Sequence, residues 1–126
     1  MANKIIVSTL GAERIDAGGR KEVEVVDYII EVWKRRLEQV LPDRPDLIVL
    51  PELCDHPRDY PFNCFEYYQL RGDRVLDFFA AVAKKNRCHI AYAAARWGED
   101  GRFRNSLRMI GKDGEVIGVY DKNYIT

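Results

Sequence analysis

The 126-residue sequence lacks the features that mark secreted, membrane and nucleic-acid-binding proteins. Its three cysteines are too few for a disulfide framework, and polar residues follow Met1 where a secretory signal would have an apolar core. Apolar stretches such as Leu47 to Leu50 are far shorter than the roughly 20 residues of a membrane-spanning helix. Twenty basic residues balance twenty acidic ones, so no net positive charge attracts nucleic acid. We expect a cytoplasmic protein with no nucleic-acid or membrane partner.

The remaining composition is typical of one globular folding unit. Hydrophobic residues make up 47% of the chain and charged residues 32%, which is the balance of a folded domain. A chain of this length can bury one core but not two. We therefore treat residues 1–126 as one unit.

Alternating strand and helix patterns predict an α/β fold. The predicted strands cover residues 4–10, 46–50, 89–95, 103–110 and 115–120, and the predicted helices cover residues 20–41 and 73–87. The Asp113-Gly114 pair predicts a hairpin between the last two strands. Residues 54–71 are rich in proline and aromatic side chains, which favours a long loop with a short helical turn. This order favours a mixed sheet with helices packed on it and an uncovered last strand, which needs more chain or a partner.

Two charged residues follow predicted strands and are candidates for catalysis. Glu52 ends the buried strand 46–50, and sites form at the carboxyl ends of strands in α/β sheets. Partial desolvation there would raise the pKa of Glu52 and suit it to act as a base. Lys122 follows the last strand, and its ammonium could stabilise a developing oxyanion at the same edge. The alternatives are a Glu52 that caps a helix or pairs with an arginine, and a Lys122 that is simply solvated.

Two blocks of this sequence are more specific than either charged residue alone: DLIVLPE, and then RNSLRMIGKDGEVIGVYDKNYI. In this order they resemble the nitrilase superfamily of carbon–nitrogen hydrolases. The first, DLIVLPE at residues 46–52, is similar to the strand of that family that ends in Pro-Glu. The second, RNSLRMIGKDGEVIGVYDKNYI at residues 104–125, is similar to its Asn-Ser strand, its Asp-Gly hairpin and its Tyr-Xaa-Lys element. The likeness extends over nearly the whole chain. It implies that residues 1–126 are the amino-terminal portion of a single hydrolase domain.

The resemblance also implies a fold, a chemistry and a set of site residues. The fold would be part of an α/β/β/α sandwich, with a mixed sheet and helices on its outer face. Glu52 would be the general base, Lys122 would stabilise the oxyanion, and Asn105 would support the site, although Asn105 could equally bond to a nearby turn. Substrates would be small amides, nitriles or carbamoyl compounds, with no cofactor. Members of the family usually form dimers or larger assemblies, and we expect this chain to expose apolar surface and associate.

The family mechanism needs a cysteine nucleophile, which follows the lysine in the sequence. Residues 123–126 contain no cysteine, so we expect an incomplete catalytic set and an inactive chain. Cys54 lies two positions beyond Glu52 but matches no family nucleophile, and we interpret it as a small buried hydrophobe. Cys54, His56 and Cys64 match no standard zinc spacing, so we expect no metal site. The alternative to a hydrolase is a noncatalytic α/β module that binds a partner or ligand.

Overall fold

A computed structural model describes residues 4–62 and 64–122 of the chain. Within these residues the β-strands are β1 (Val7–Thr9), β2 (Leu47–Val49), β3 (His89–Trp97), β4 (Phe103–Ile110) and β5 (Val116–Asp121). The α-helices are α1 (Glu22–Val40), α2 (Phe65–Arg71) and α3 (Arg74–Asn86), and a 3₁₀ turn at Leu41–Asp43 follows α1. The predicted α/β class and mixed sheet are confirmed.

The five strands form one sheet in the order β1-β2-β3-β4-β5. Strands β1, β2 and β3 are parallel, whereas β4 runs antiparallel to β3 and β5 antiparallel to β4. Two reversals return β5 to the direction of β2. The carboxyl ends of β2 and β5 therefore lie at the same edge of the sheet, together with the start of β4.

The hydrophobic core lies between one face of the sheet and the helices. Ile48, Ile90 and Ile110 are cross-strand neighbours on this face, and all three are fully buried. Trp33 from α1 and Phe79 from α3 pack against each other with their ring centroids 6.4 Å apart. The apolar residues of each helix recur every three or four positions, so a single side of the helix faces the sheet.

The opposite face of the sheet carries apolar side chains without a covering layer in the described residues. Val49, Ala91 and Met109 are cross-strand neighbours on this face. Toward the two edges, Val7 is 51% exposed and Tyr120 is 60% exposed. The expected exposure of apolar surface is confirmed, and association through that surface stays a prediction.

A β-bulge interrupts the pairing of β4 with β5. Met109 pairs with Gly118, but its neighbour Ile110 pairs with Val116, so Ile117 is an extra residue in β5. Bulges bend a strand and change the direction of the side chains beyond them. Past the bulge, the Lys122 N–H donates to the Asn105 carbonyl oxygen at 2.8 Å, so Lys122 lies opposite Asn105.

The sequence patterns predicted too little helix in the region of α2. We expected residues 54–71 to be a loop with a short helical turn, but residues 65–71 form a separate helix. Tyr67, Tyr68 and Arg71 are buried on its inner side, and this tertiary packing stabilises a helix too short to form alone. Within the residues that the structure describes, no helix combines the length and apolar character of a membrane span.

Candidate active site

Glu52, Asn105 and Lys122 meet at the edge where β2 and β5 end. The Lys122 ammonium lies 3.2 Å from Glu52 Oε1, and the Asn105 amide donates to the same oxygen at 2.5 Å. Glu52 and Lys122 are 70 positions apart in the sequence, so the sheet topology alone brings them together. The structure thus gathers the three residues that the sequence singled out, and their catalytic roles stay predictions.

The pKa of Glu52 lies below its ordinary value, which is opposite to our expectation of a desolvated base. The Lys122 and Asn105 side chains donate hydrogen bonds that favour the ionised carboxylate, and these outweigh the small effect of burial. The Glu52 side chain is 57% exposed, so water still solvates its charge. Strand-end position therefore predicted the location of Glu52 but not its solvation.

Lys122→Met is expected to raise the pKa of Glu52, because the variant loses the hydrogen bond that lowers this pKa most. The pKa is depressed in the folded chain, so the contact stabilises the fold above the unfolded pKa. That stabilisation is lost as pH falls through the folded pKa. The Glu52 carboxyl ¹³C resonance, followed by NMR during a pH titration, measures the change. Lys112→Met in the exposed hairpin turn is the matched control, and an equal shift in both variants would contradict the contact.

The backbone after Glu52 is held in a strained, well-anchored turn. Leu53 has a φ of 53°, in the left-handed region that costs a side-chain-bearing residue about 1–3 kcal/mol. The Cys54 N–H donates to the Ala93 carbonyl at 3.0 Å, and the buried Trp33 indole donates to the Cys54 carbonyl at 2.8 Å. Such strain persists only where the surroundings impose it. The turn therefore fixes the direction of the chain next to Glu52.

A buried ion pair connects this turn to α2. Arg71 Nη1 donates to both Asp55 carboxylate oxygens, at 3.1 and 3.3 Å, and both side chains are almost completely buried. The Tyr92 hydroxyl also donates to the Asp55 carboxylate, and the Tyr67 hydroxyl donates to the Asp55 carbonyl at 2.7 Å. This network has no signal in the sequence, because no spacing pattern reveals which distant charges will pair inside a core.

A cavity of about 420 Å³ opens beside Glu52. Aromatic and apolar groups form much of its wall, and they include Trp33, Leu53 and Phe62. His56 also contributes; its ring stacks on Phe62 with centroids 5.4 Å apart. Burial lowers the pKa of His56, which favours the neutral imidazole. The volume lies within the range of small-molecule sites.

A model of the family described as carbon-nitrogen hydrolase matches residues 23–126, which is most of the chain. This chain belongs to the carbon–nitrogen hydrolase family. The match includes Glu52, Asn105 and Lys122, and the resemblance to nitrilase-superfamily enzymes is confirmed. Among curated proteins, no sequence matches this chain significantly.

Solved structures share the fold of this family member. A carbon-nitrogen hydrolase from Helicobacter pylori G27 is 22% identical, with a TM-score of 0.66 over 97% of this chain and 40% of that one. An N-terminal amidase in complex with a Gln-Gly peptide is 17% identical, with a TM-score of 0.75 over 97% and 28%. An amidase from Nesterenkonia sp. is 15% identical, with a TM-score of 0.67 over 97% and 44%. The chain therefore spans less than half of each of these structures.

The cysteines of this chain are in environments that disfavour a thiolate. Cys54 is buried, and desolvation raises the pKa of its thiol well above the ordinary value. Burial also raises the pKa of Cys64 and of Cys88. A nucleophilic cysteine needs a lowered pKa instead. In the described part of the chain, no group of three or more His, Cys, Asp and Glu side chains is arranged to hold a metal ion.

Proposed function

We propose that residues 1–126 are the amino-terminal portion of a hydrolase that cleaves nonpeptide carbon–nitrogen bonds in amides, nitriles or carbamoyl compounds. The observation that carries this proposal is the contact between Glu52 and Lys122, at 3.2 Å, in a chain of the carbon–nitrogen hydrolase family. A carboxylate and an ammonium at one sheet edge supply a base and an oxyanion-stabilising cation. The third group, a cysteine thiol, would come from outside this chain.

In the complete site, the Glu52 carboxylate would take the proton of the cysteine thiol. The thiolate would then attack the carbonyl carbon of an amide, and the negative charge that develops on oxygen would face the Lys122 ammonium. The carbon–nitrogen bond breaks as the amine leaves with the proton from Glu52. Water cleaves the resulting thioester, with Glu52 accepting its proton and the thiol leaving. Lys122 has three N–H donors, so bonding to Glu52 leaves others for the oxyanion.

The cavity beside Glu52 supports a substrate with an apolar or aromatic part. Its wall of Trp33, Leu53 and Phe62 is suited to hold such a group, and Glu52 at its rim would lie near the reacting carbon. Any layer that covers this edge would also desolvate Glu52 and raise its pKa toward the range of an effective base. The N-terminal amidase with a Gln-Gly peptide has the same fold, which makes amides the first substrates to test.

Ammonia release tests the proposal directly. A panel of amides, nitriles and carbamoyl compounds is incubated with this chain and with the longest product of its reading frame. We expect ammonia from the longer product and none from this chain. Release by this chain would contradict a nucleophile outside residues 1–126. A folded longer product without activity on the whole panel would favour a noncatalytic α/β module.

A further inference from the structure

A second cavity, of about 320 Å³, lies on the helix-covered side of the sheet. It is formed by α2, the short turn between α2 and α3, and the strands β3 and β4. Three arginines line it: Arg71, Arg96 and Arg108. Arg108 is on the same face as the core residue Tyr92, with its guanidinium 5.1 Å from the centre of the Tyr92 ring. Asn105 is on the other face, so this cavity is separate from the Glu52 edge.

Two of these arginines already have carboxylate partners behind the cavity wall. Arg71 pairs with the buried Asp55. Arg96 donates to the Asp121 carboxylate at 2.8 Å and to the Ser106 hydroxyl at 3.1 Å. Neither Asp55 nor Asp121 lines the cavity, so both guanidinium groups are fixed and neutralised from outside it.

Arg108 is different, because its guanidinium lacks a hydrogen-bond acceptor among the described residues. Its side chain is only 13% exposed, and its nearest carboxylate, Asp73, is 3.9 Å away. That distance is beyond hydrogen-bonding range. The Asp73 side chain is 71% exposed and lines the same cavity. The Arg108 guanidinium is thus held only by a loose ion pair, and an anionic ligand in the cavity would supply the direct hydrogen-bond acceptor that the described residues do not.

A second unpaired donor lies at the same cavity. The indole Nε1 of Trp97 is buried and has no hydrogen-bond partner in the described structure. Trp97 and Phe65 both line the cavity, with their rings perpendicular and 5.2 Å apart. A guanidinium and an indole N–H are both donors, so both require the same kind of ligand atom, an acceptor oxygen.

We propose that this cavity binds a small oxyanion, a phosphate or carboxylate group, through Arg108 with Arg96 and Trp97 as further donors. Guanidinium groups bind such anions through paired, charge-assisted hydrogen bonds. Phe65 and the Trp97 ring add an apolar wall that suits an organic part of the ligand. The site is independent of the proposed hydrolase reaction, because none of its residues contacts Glu52 or Lys122.

Calorimetric titration of the folded chain with inorganic phosphate, against sodium chloride of equal ionic strength, tests the site. We expect saturable binding that Arg108→Gln weakens about tenfold or more, because charge-assisted bonds to phosphate are lost. Arg35→Gln, on the exposed side of α1, removes the same charge and should bind like the original chain. Absence of saturable binding, or equal affinity in Arg108→Gln, would overturn the proposal. Glu52→Gln should leave phosphate binding unchanged, which separates this site from the proposed catalytic edge.

A measurement without an arginine variant keeps the test valid if Arg108→Gln fails to fold. The chain has two tryptophans. Trp33 lines the cavity beside Glu52, whereas Trp97 lines the second cavity with Arg108. We expect phosphate to shift the Trp97 indole N–H resonance and to leave that of Trp33 in place. An unmoved Trp97 resonance at saturation would reject the site. Phenyl phosphate shows whether the natural ligand is an organic oxyanion or free phosphate. If it binds more tightly than inorganic phosphate, the ligand is an organic oxyanion; if the two bind equally, the ligand is free phosphate.

Discussion

On the proposed function, Glu52→Gln is expected to abolish measurable amide hydrolysis by the longest product of the reading frame while leaving its folding nearly intact. Loss of a general base lowers kcat by about 10²–10⁴-fold, and Glu52 is proposed to act as the base in both halves of the reaction. The glutamine carbonyl can still accept hydrogen bonds from Asn105 and Lys122, so the local structure should persist. Steady-state kinetics and a thermal melt of the same preparation measure both effects.

The matched control for this experiment is Glu38→Gln, which removes a carboxylate from the exposed surface of α1. It should leave both kcat and the melting temperature unchanged. Full activity in Glu52→Gln would reject Glu52 as the base. Equal loss in Glu52→Gln and Glu38→Gln would assign the effect to net charge rather than to the sheet edge.

Asp55→Ala is expected to destabilise the chain by about 3–5 kcal/mol, because it leaves the Arg71 guanidinium buried without its partner. Both members of the pair are almost fully buried, and the Tyr92 hydroxyl loses its acceptor as well. The free energy of unfolding of an ordinary domain is only about 5–15 kcal/mol, so this loss is a large fraction of it. Equilibrium urea unfolding, followed by circular dichroism, measures the change.

Asp113→Ala is the control for the buried pair. It breaks an ion pair with Arg87 of similar type, at 2.6 Å, but both of these side chains are mostly exposed. Exposed pairs contribute about 0–1 kcal/mol, so the variant should unfold near the urea midpoint of the original chain. The double variant Asp55→Leu with Arg71→Met should recover much of the lost stability, since no charge remains buried. Equal midpoints for Asp55→Ala and Asp113→Ala would contradict the role of burial.

Local patterns in the sequence predicted most of the fold. Helices α1 and α3 have clear apolar periodicity, and the Asp113-Gly114 pair correctly marked the turn between β4 and β5. Helix α2 was underestimated because its buried side is mainly Tyr67, Tyr68 and Arg71, which do not form an ordinary apolar stripe. Its stability depends on packing with distant segments, and a short window of sequence does not contain that information.

The candidate site was predictable to the extent that it follows from strand direction. Glu52 and Lys122 each follow a strand, and parallel orientation brings their ends to one edge. The solvation of Glu52 was not predictable, because it depends on which donors and how much water surround the carboxylate. The Asp55–Arg71 pair and the Arg108 cavity depend on tertiary contacts between side chains many positions apart, for which the sequence offers no spacing signal.

The extra residue in β5 decides which side of the sheet receives the Lys122 ammonium. If Ile117 were not bulged, the pairing that joins Ile110 to Val116 would continue unchanged and place Lys122 opposite Arg104 instead of Asn105. Neighbouring positions on a strand point to opposite faces, so the ammonium would then turn toward the helices and away from Glu52. An irregularity of one residue near the hairpin therefore determines an ion pair at the far end of the same strand.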